Sequence, residues 1–60
     1  MNIRNIRESK NMTQMDVATA LNIGRTTVAM WETGESMPRA EKLIQLAKLF
    51  NCTVDELLKG

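Results

Sequence analysis

The sequence predicts an all-α domain of five short helices around one core, and three observations lead there. Apolar residues recur at helical spacing in separate short stretches: Ile3 with Ile6, Val17 and Ala18 with Leu21, Val28 with Trp31, and Ala40, Leu43, Ala47 and Phe50. Start signals precede two of these stretches, Thr13 with Asp16 three residues on and Thr53 with Glu56 three residues on. Residues that tolerate a left-handed backbone follow the stretches, namely Asn11, Asn22, Gly34 and Asn51. The 60 residues form a single small domain over 1–60. A chain of this length buries only about 60 % of its unfolded surface, and none of the helices is long enough to stand alone.

Taken in order, the first helix covers residues 1–10, with Ile3 and Ile6 inward and Arg4, Glu8 and Lys10 outward. Arg7 borders the apolar stripe, and Met12, just before the Thr13 cap, is placed to staple the next helix. The second helix runs from the Thr13 cap to Asn22, after which Ile23 plugs back into the core. Gly24 opens the third helix, which buries Val28 and Trp31 and stops at Gly34. The turn between these two helices is too tight for antiparallel stacking. That geometry is a helix-turn-helix, whose second helix can enter the major groove of DNA.

A loop follows, in which Pro38 ends any helical continuation and suits the first turn of the next helix. The fourth helix extends from Arg39 to Phe50, with Ala40, Leu43, Ala47 and Phe50 as its inner stripe and Ile44 and Leu46 flanking it. Glu41, Lys42, Gln45 and Lys48 take the wet side, together with Leu49, an odd place for a leucine. Val54, Leu57 and Leu58 of the last helix close the core from below.

Composition narrows the function. One cysteine and no histidine exclude zinc-finger spacing and a Cys–His catalytic pair. Cys52 reads as a small buried apolar residue in a reducing cytoplasm. No run approaches the roughly 18 apolar residues of a membrane span, and the start lacks a signal-peptide hydrophobic region; a soluble, cytoplasmic protein without a membrane partner is expected. Asp16, Asp55 and Glu56 are helix-cap acids, and neither a phosphate-binding glycine loop nor a metal-ligand cluster is present. The chain is therefore not expected to be an enzyme or to hold a cofactor, a metal or a small-molecule ligand. Five methionines read as adaptable core filling, Met30 excepted. A net charge of +1 is too small for a non-specific DNA binder, so any affinity for DNA must come from position-specific contacts and pairing of two copies.

With Val28 and Trp31 inward, the helical period sends Arg25, Thr26, Ala29, Met30 and Thr33 outward. That face is short and, apart from Arg25, uncharged, whereas a helix made only for solubility would carry several Glu and Lys. Arg25 can pair with guanine O6 and N7, worth about 1–3 kcal/mol of discrimination. Thr27 and Thr33 are candidates for phosphate contacts.

The run TQ-x-x-V-A-x-x-L-x-I-x-R-x-T-V-x-x-W-E-x-G, followed by Pro38 and a second apolar helix, resembles the Cro/C1-type (XRE-like) helix-turn-helix family of phage repressors and bacterial regulators. The likeness spans nearly the whole chain without a gap. It implies the lambda-repressor-like DNA-binding fold and a sequence-specific regulator binding double-stranded DNA, a dimeric repressor on an inverted-repeat operator. It further implies that Gln14 anchors a phosphate, so that Gln14→Ala weakens binding evenly across sequences. Thr26 and Met30 match base-reading positions, Met30 pressing on a thymine methyl, and Arg39 lies near the narrowed minor groove at the operator centre. Arg7 and Glu32 match a pair tying helix 1 to the end of the recognition helix. Pairing of copies falls to the end of helix 4 and helix 5, where Leu49, with Phe50, Val54 and Leu58 nearby, implies a weak homodimer. Glu35 and Gly24 depart from the family, which has a basic or neutral residue at the first position and a hydroxyl cap at the second. The competing reading on the same fold is a protein-interaction or antitoxin module.

Overall fold

The helix ends are where the sequence acts most directly. The computed structural model describes residues 1–59, in five helices: α1 (Ile3–Ser9), α2 (Gln14–Leu21), α3 (Arg25–Thr33), α4 (Ala40–Phe50) and α5 (Val54–Leu58). Both capping boxes form. The Asp16 N–H donates to the Thr13 hydroxyl at 3.0 Å while the Asp16 carboxylate accepts from the Thr13 N–H at 2.8 Å. Glu56 and Thr53 repeat this at 3.1 and 3.2 Å. Each box satisfies amide donors that the first turn of a helix leaves unpaired.

Asn11, Asn22 and Asn51 turn the chain with φ of 57°, 57° and 54°, and Gly34 does so with φ of 86°. After each asparagine the next residue donates its N–H to the carbonyl five back: Met12 to Arg7 at 3.1 Å, Ile23 to Ala18 at 2.9 Å, Cys52 to Ala47 at 2.9 Å. Those three side chains then pack, partly buried, on the core. A left-handed stop followed by a hydrophobic plug is one device used at three corners.

The core unites all five helices, with Ile3, Val17, Val28, Leu46, Phe50 and Leu57 fully buried and Trp31 nearly so. The N–H of Asn2 donates to the Leu57 carbonyl at 2.8 Å, tying the two ends of the domain together. Three expectations are corrected here. α1 is shorter than residues 1–10 at both ends. Pro38 lies before the Arg39 cap of α4 instead of in its first turn, and is buried. The inner stripe of α4 is Leu43, Leu46, Ala47 and Phe50, whereas Ala40 is exposed and Ile44 is 51 % exposed. α4 packs against both α2 and α5, and the arc those two helices cover includes Leu46 and passes Ala40 by.

Met1 and Met12 pack, partly buried, against the core as expected and Met30 is intermediate, whereas Met15 and Met37, more than half exposed, depart from the expected core filling. The largest fully buried side chains are branched or aromatic. Cys52 sits at the core margin rather than within it; burial pushes its thiol pKa up, the Glu56 charge adds to this, and Lys10 opposes it. Among the described residues no helix is long and apolar enough to cross a membrane.

Candidate nucleic-acid interface

Asn22 ends α2 in the left-handed conformation, and two residues later Gly24 starts α3 from an extended one (φ −78°, ψ 149°), without a side-chain cap. α2 and α3 pack directly on each other. α3 buries Val28 and Trp31, leaving Arg25, Thr26 and Thr33 exposed and Thr27, Ala29 and Met30 partly so. No acid lies in the first turn of α3, so the positive end of its dipole and the Arg25 cation act together on whatever approaches.

Behind this face lies a chain of polar contacts. The Arg7 guanidinium donates through Nε to Glu32 Oε2 at 2.7 Å, through Nη2 to Glu32 Oε1 at 3.3 Å, and through Nη1 to the Met12 carbonyl at 2.8 Å. The Arg7 and Glu32 side chains are only 10 % and 5 % exposed, so Arg7 is a buried residue and not merely the border of a stripe. Its hydrogen bond to Glu32 pushes the guanidinium pKa above the ordinary value; burial works against this, and the charges of Glu32 and Glu8 add to it. Two forked bonds in a dry setting are the strong form of this pair. Glu32 Oε1 also accepts from Gln14 Nε2 at 3.1 Å, and Gln14 Oε1 in turn accepts from Arg25 Nη1 at 3.1 Å.

The structure thus brings Gln14 and Arg25 together at the start of α3. It brings Thr27 and Arg39 together elsewhere, on the lining of an open cleft of about 320 Å³ between α3 and the start of α4, with Trp31 and Lys42 beside them. The Thr33 hydroxyl donates to the Met30 carbonyl at 3.2 Å, so it must turn before it can donate to a phosphate. Thr26 and Met30 stay on the outward side of α3, and Glu35 is exposed in the loop. Lys42 was expected on the wet side, yet it is partly buried and its Nζ donates to the Leu21 carbonyl at 3.4 Å, closing the C-terminal end of α2. A Lys two positions after the first residue of α4 carries no local signal for that role. It depends on α4 lying across the end of α2.

Two short helices joined by a left-handed asparagine, the second presenting a sparse face with one held cation, define a helix-turn-helix domain. A family model described as helix-turn-helix matches residues 3–57, and the chain belongs to that family, in its Cro/C1-type branch. It is 40 % identical over 58 residues to the HTH-type transcriptional activator BcrR of Enterococcus faecalis, covering 97 % of this chain and 28 % of the relative. It is 36 % identical over 58 residues to the HTH-type transcriptional regulator DicA of Escherichia coli, covering 97 % and 43 %. It is 31 % identical over 58 residues to Repressor protein C2 of Salmonella phage P22, covering 97 % and 27 %. The chain therefore spans less than half the length of each of these relatives.

Proposed function

We propose that this chain is a sequence-specific transcriptional regulator without enzymatic activity. It binds double-stranded DNA through the major groove and acts in the cytoplasm as a dimeric repressor on an inverted repeat. The observation that carries this reading is the outward face of α3: one arginine at its N-terminal end, short uncharged side chains after it, and no acid in its first turn. The names of the relatives, an activator, a regulator and a repressor, support the coarser class of transcriptional regulator. Arg25 reads a guanine, Thr26 and Met30 meet neighbouring bases, and Gln14, Thr27, Thr33 and Arg39 contact the backbone, Arg39 toward the operator centre.

Selection of bound sites from a random duplex pool tests the whole reading, and an inverted repeat is the expected product. On the selected site, Arg25→Ala should weaken binding by about 1–3 kcal/mol and relax preference at one base pair per half-site. An equal loss on all sequences would make Arg25 a phosphate contact.

Dimerisation follows from the charge. A domain of net charge +1 with few phosphate contacts binds poorly alone, and two copies on half-sites about 34–36 Å apart place two recognition helices in successive major grooves. The proposed surface is at the end of α4 and α5, with a revised cast of residues. Phe50 is fully buried and Leu49 packs partly on the core, whereas Leu58 is 48 % exposed. Leu58→Glu is therefore the cleaner probe than Leu49→Glu, which would also disturb packing. Sedimentation with and without the selected duplex should show a two-to-one wild-type complex that Leu58→Glu weakens; an unchanged complex would move the interface elsewhere.

A further inference from the structure

We propose that Glu32, acting through Gln14, is the positioning residue that orients Arg25 for base reading. The inference rests on the reading of Arg25 as a base contact. Side-chain amides can present either the oxygen or the nitrogen to a given neighbour, and their neighbours decide which. Glu32, ionised against Arg7, offers only acceptors, so the Gln14 amide must turn its nitrogen toward it; the bond is 3.1 Å. That choice leaves the Gln14 oxygen facing the start of α3. A guanidinium can only donate, and Arg25 Nη1 meets that oxygen at 3.1 Å. With the amide reversed, both contacts would become repulsive, nitrogen against guanidinium and oxygen against carboxylate. The order acceptor, amide, donor is thus imposed from the buried end outward.

The contact takes one of the five N–H donors of Arg25 and leaves its Nε–Nη2 fork to meet the two acceptors of a guanine edge. An exposed arginine without such a tether samples many rotamers and loses that freedom on binding. Gln14 holds Arg25 before DNA arrives, and the carboxylate holding Gln14 is itself fixed by two bonds from Arg7. Gln14 still has a second amide hydrogen for a phosphate, so its replacement is expected to lower discrimination as well as affinity, in place of the even loss that the family resemblance alone implies.

The test compares wild type with Gln14→Met, Arg25→Met and the double variant on the selected duplex and on the same duplex changed at the base pair assigned to Arg25. Gln14→Met preserves length and leaves the Arg7–Glu32 pair intact. Discrimination at that base pair is expected to fall about fivefold or more for Gln14→Met, with preferences at other positions retained. The double variant should discriminate no worse than Arg25→Met alone. Glu32→Gln, assayed at a temperature where circular dichroism shows it folded, should shift the profile the same way. If Arg25→Met changes the profile but Gln14→Met only lowers affinity evenly, the relay is overturned and Arg25 remains a base reader. If Arg25→Met leaves the profile unchanged, the base-reading assignment fails and the relay fails with it.

Discussion

Replacing Arg7 with methionine is expected to cost about 3–5 kcal/mol of folding stability, because it leaves the Glu32 carboxylate in a dry site without its cation. A domain of this length has little more to lose: at typical values per residue its whole stability is about 3–9 kcal/mol. The cost does not come from the strength of the ion pair. Desolvating both groups offsets most of their attraction, so replacing both by apolar residues of similar volume should be much milder than replacing one. Urea unfolding of Arg7→Met, Glu32→Leu and the double variant measures this as a cycle. The double variant should lose far less stability than the sum of the two single losses. Simple additivity would mean that the 2.7 Å contact between Arg7 and Glu32 carries no coupling in solution.

Leu46→Ala should cost about 2–5 kcal/mol, the range for removing a fully buried leucine side chain from a packed core. Leu46 has no exposed surface, while Ile44, two residues earlier on the same helix, is 51 % exposed. Ile44→Ala should therefore change stability by no more than about 0.5 kcal/mol. Thermal or urea melts of the two variants decide the rotation of α4 about its axis. Equal losses would place Ile44 in the core and contradict the observed packing.

This pair of leucine and isoleucine also shows where a sequence stops being readable. The two capping boxes, the three asparagine corners and the Gly34 stop are all legible, because each is settled by residues within five positions of one another. The stripe of α4 is not. Ala40, Leu43, Ile44, Leu46, Ala47, Leu49 and Phe50 offer more apolar surface than one face can hold, and α2 and α5 select which part is covered. The Arg7–Glu32 pair joins residues 25 positions apart; it was expected only through family resemblance, since no local rule connects them. The Gln14 contacts lie further out of reach. Sequence assigns Gln14 to a helix start, but the direction of its amide depends on a carboxylate from one helix turn and a guanidinium from another.

The three asparagine corners bear on how quickly the molecule can be made and remade. Each turns the chain within a single six-residue loop, from the carbonyl of Arg7, Ala18 or Ala47 to the amide five positions on. Two of the helix pairs in contact, α2 with α3 and α4 with α5, are neighbours along the chain, and for these little loop-closure entropy has to be overcome before their contacts form. Helical domains with such local wiring fold in microseconds to milliseconds. For a domain of modest stability, closing this fast means that a protease meets the open form only in proportion to its equilibrium population, so resistance to cleavage follows the depth of the free-energy well.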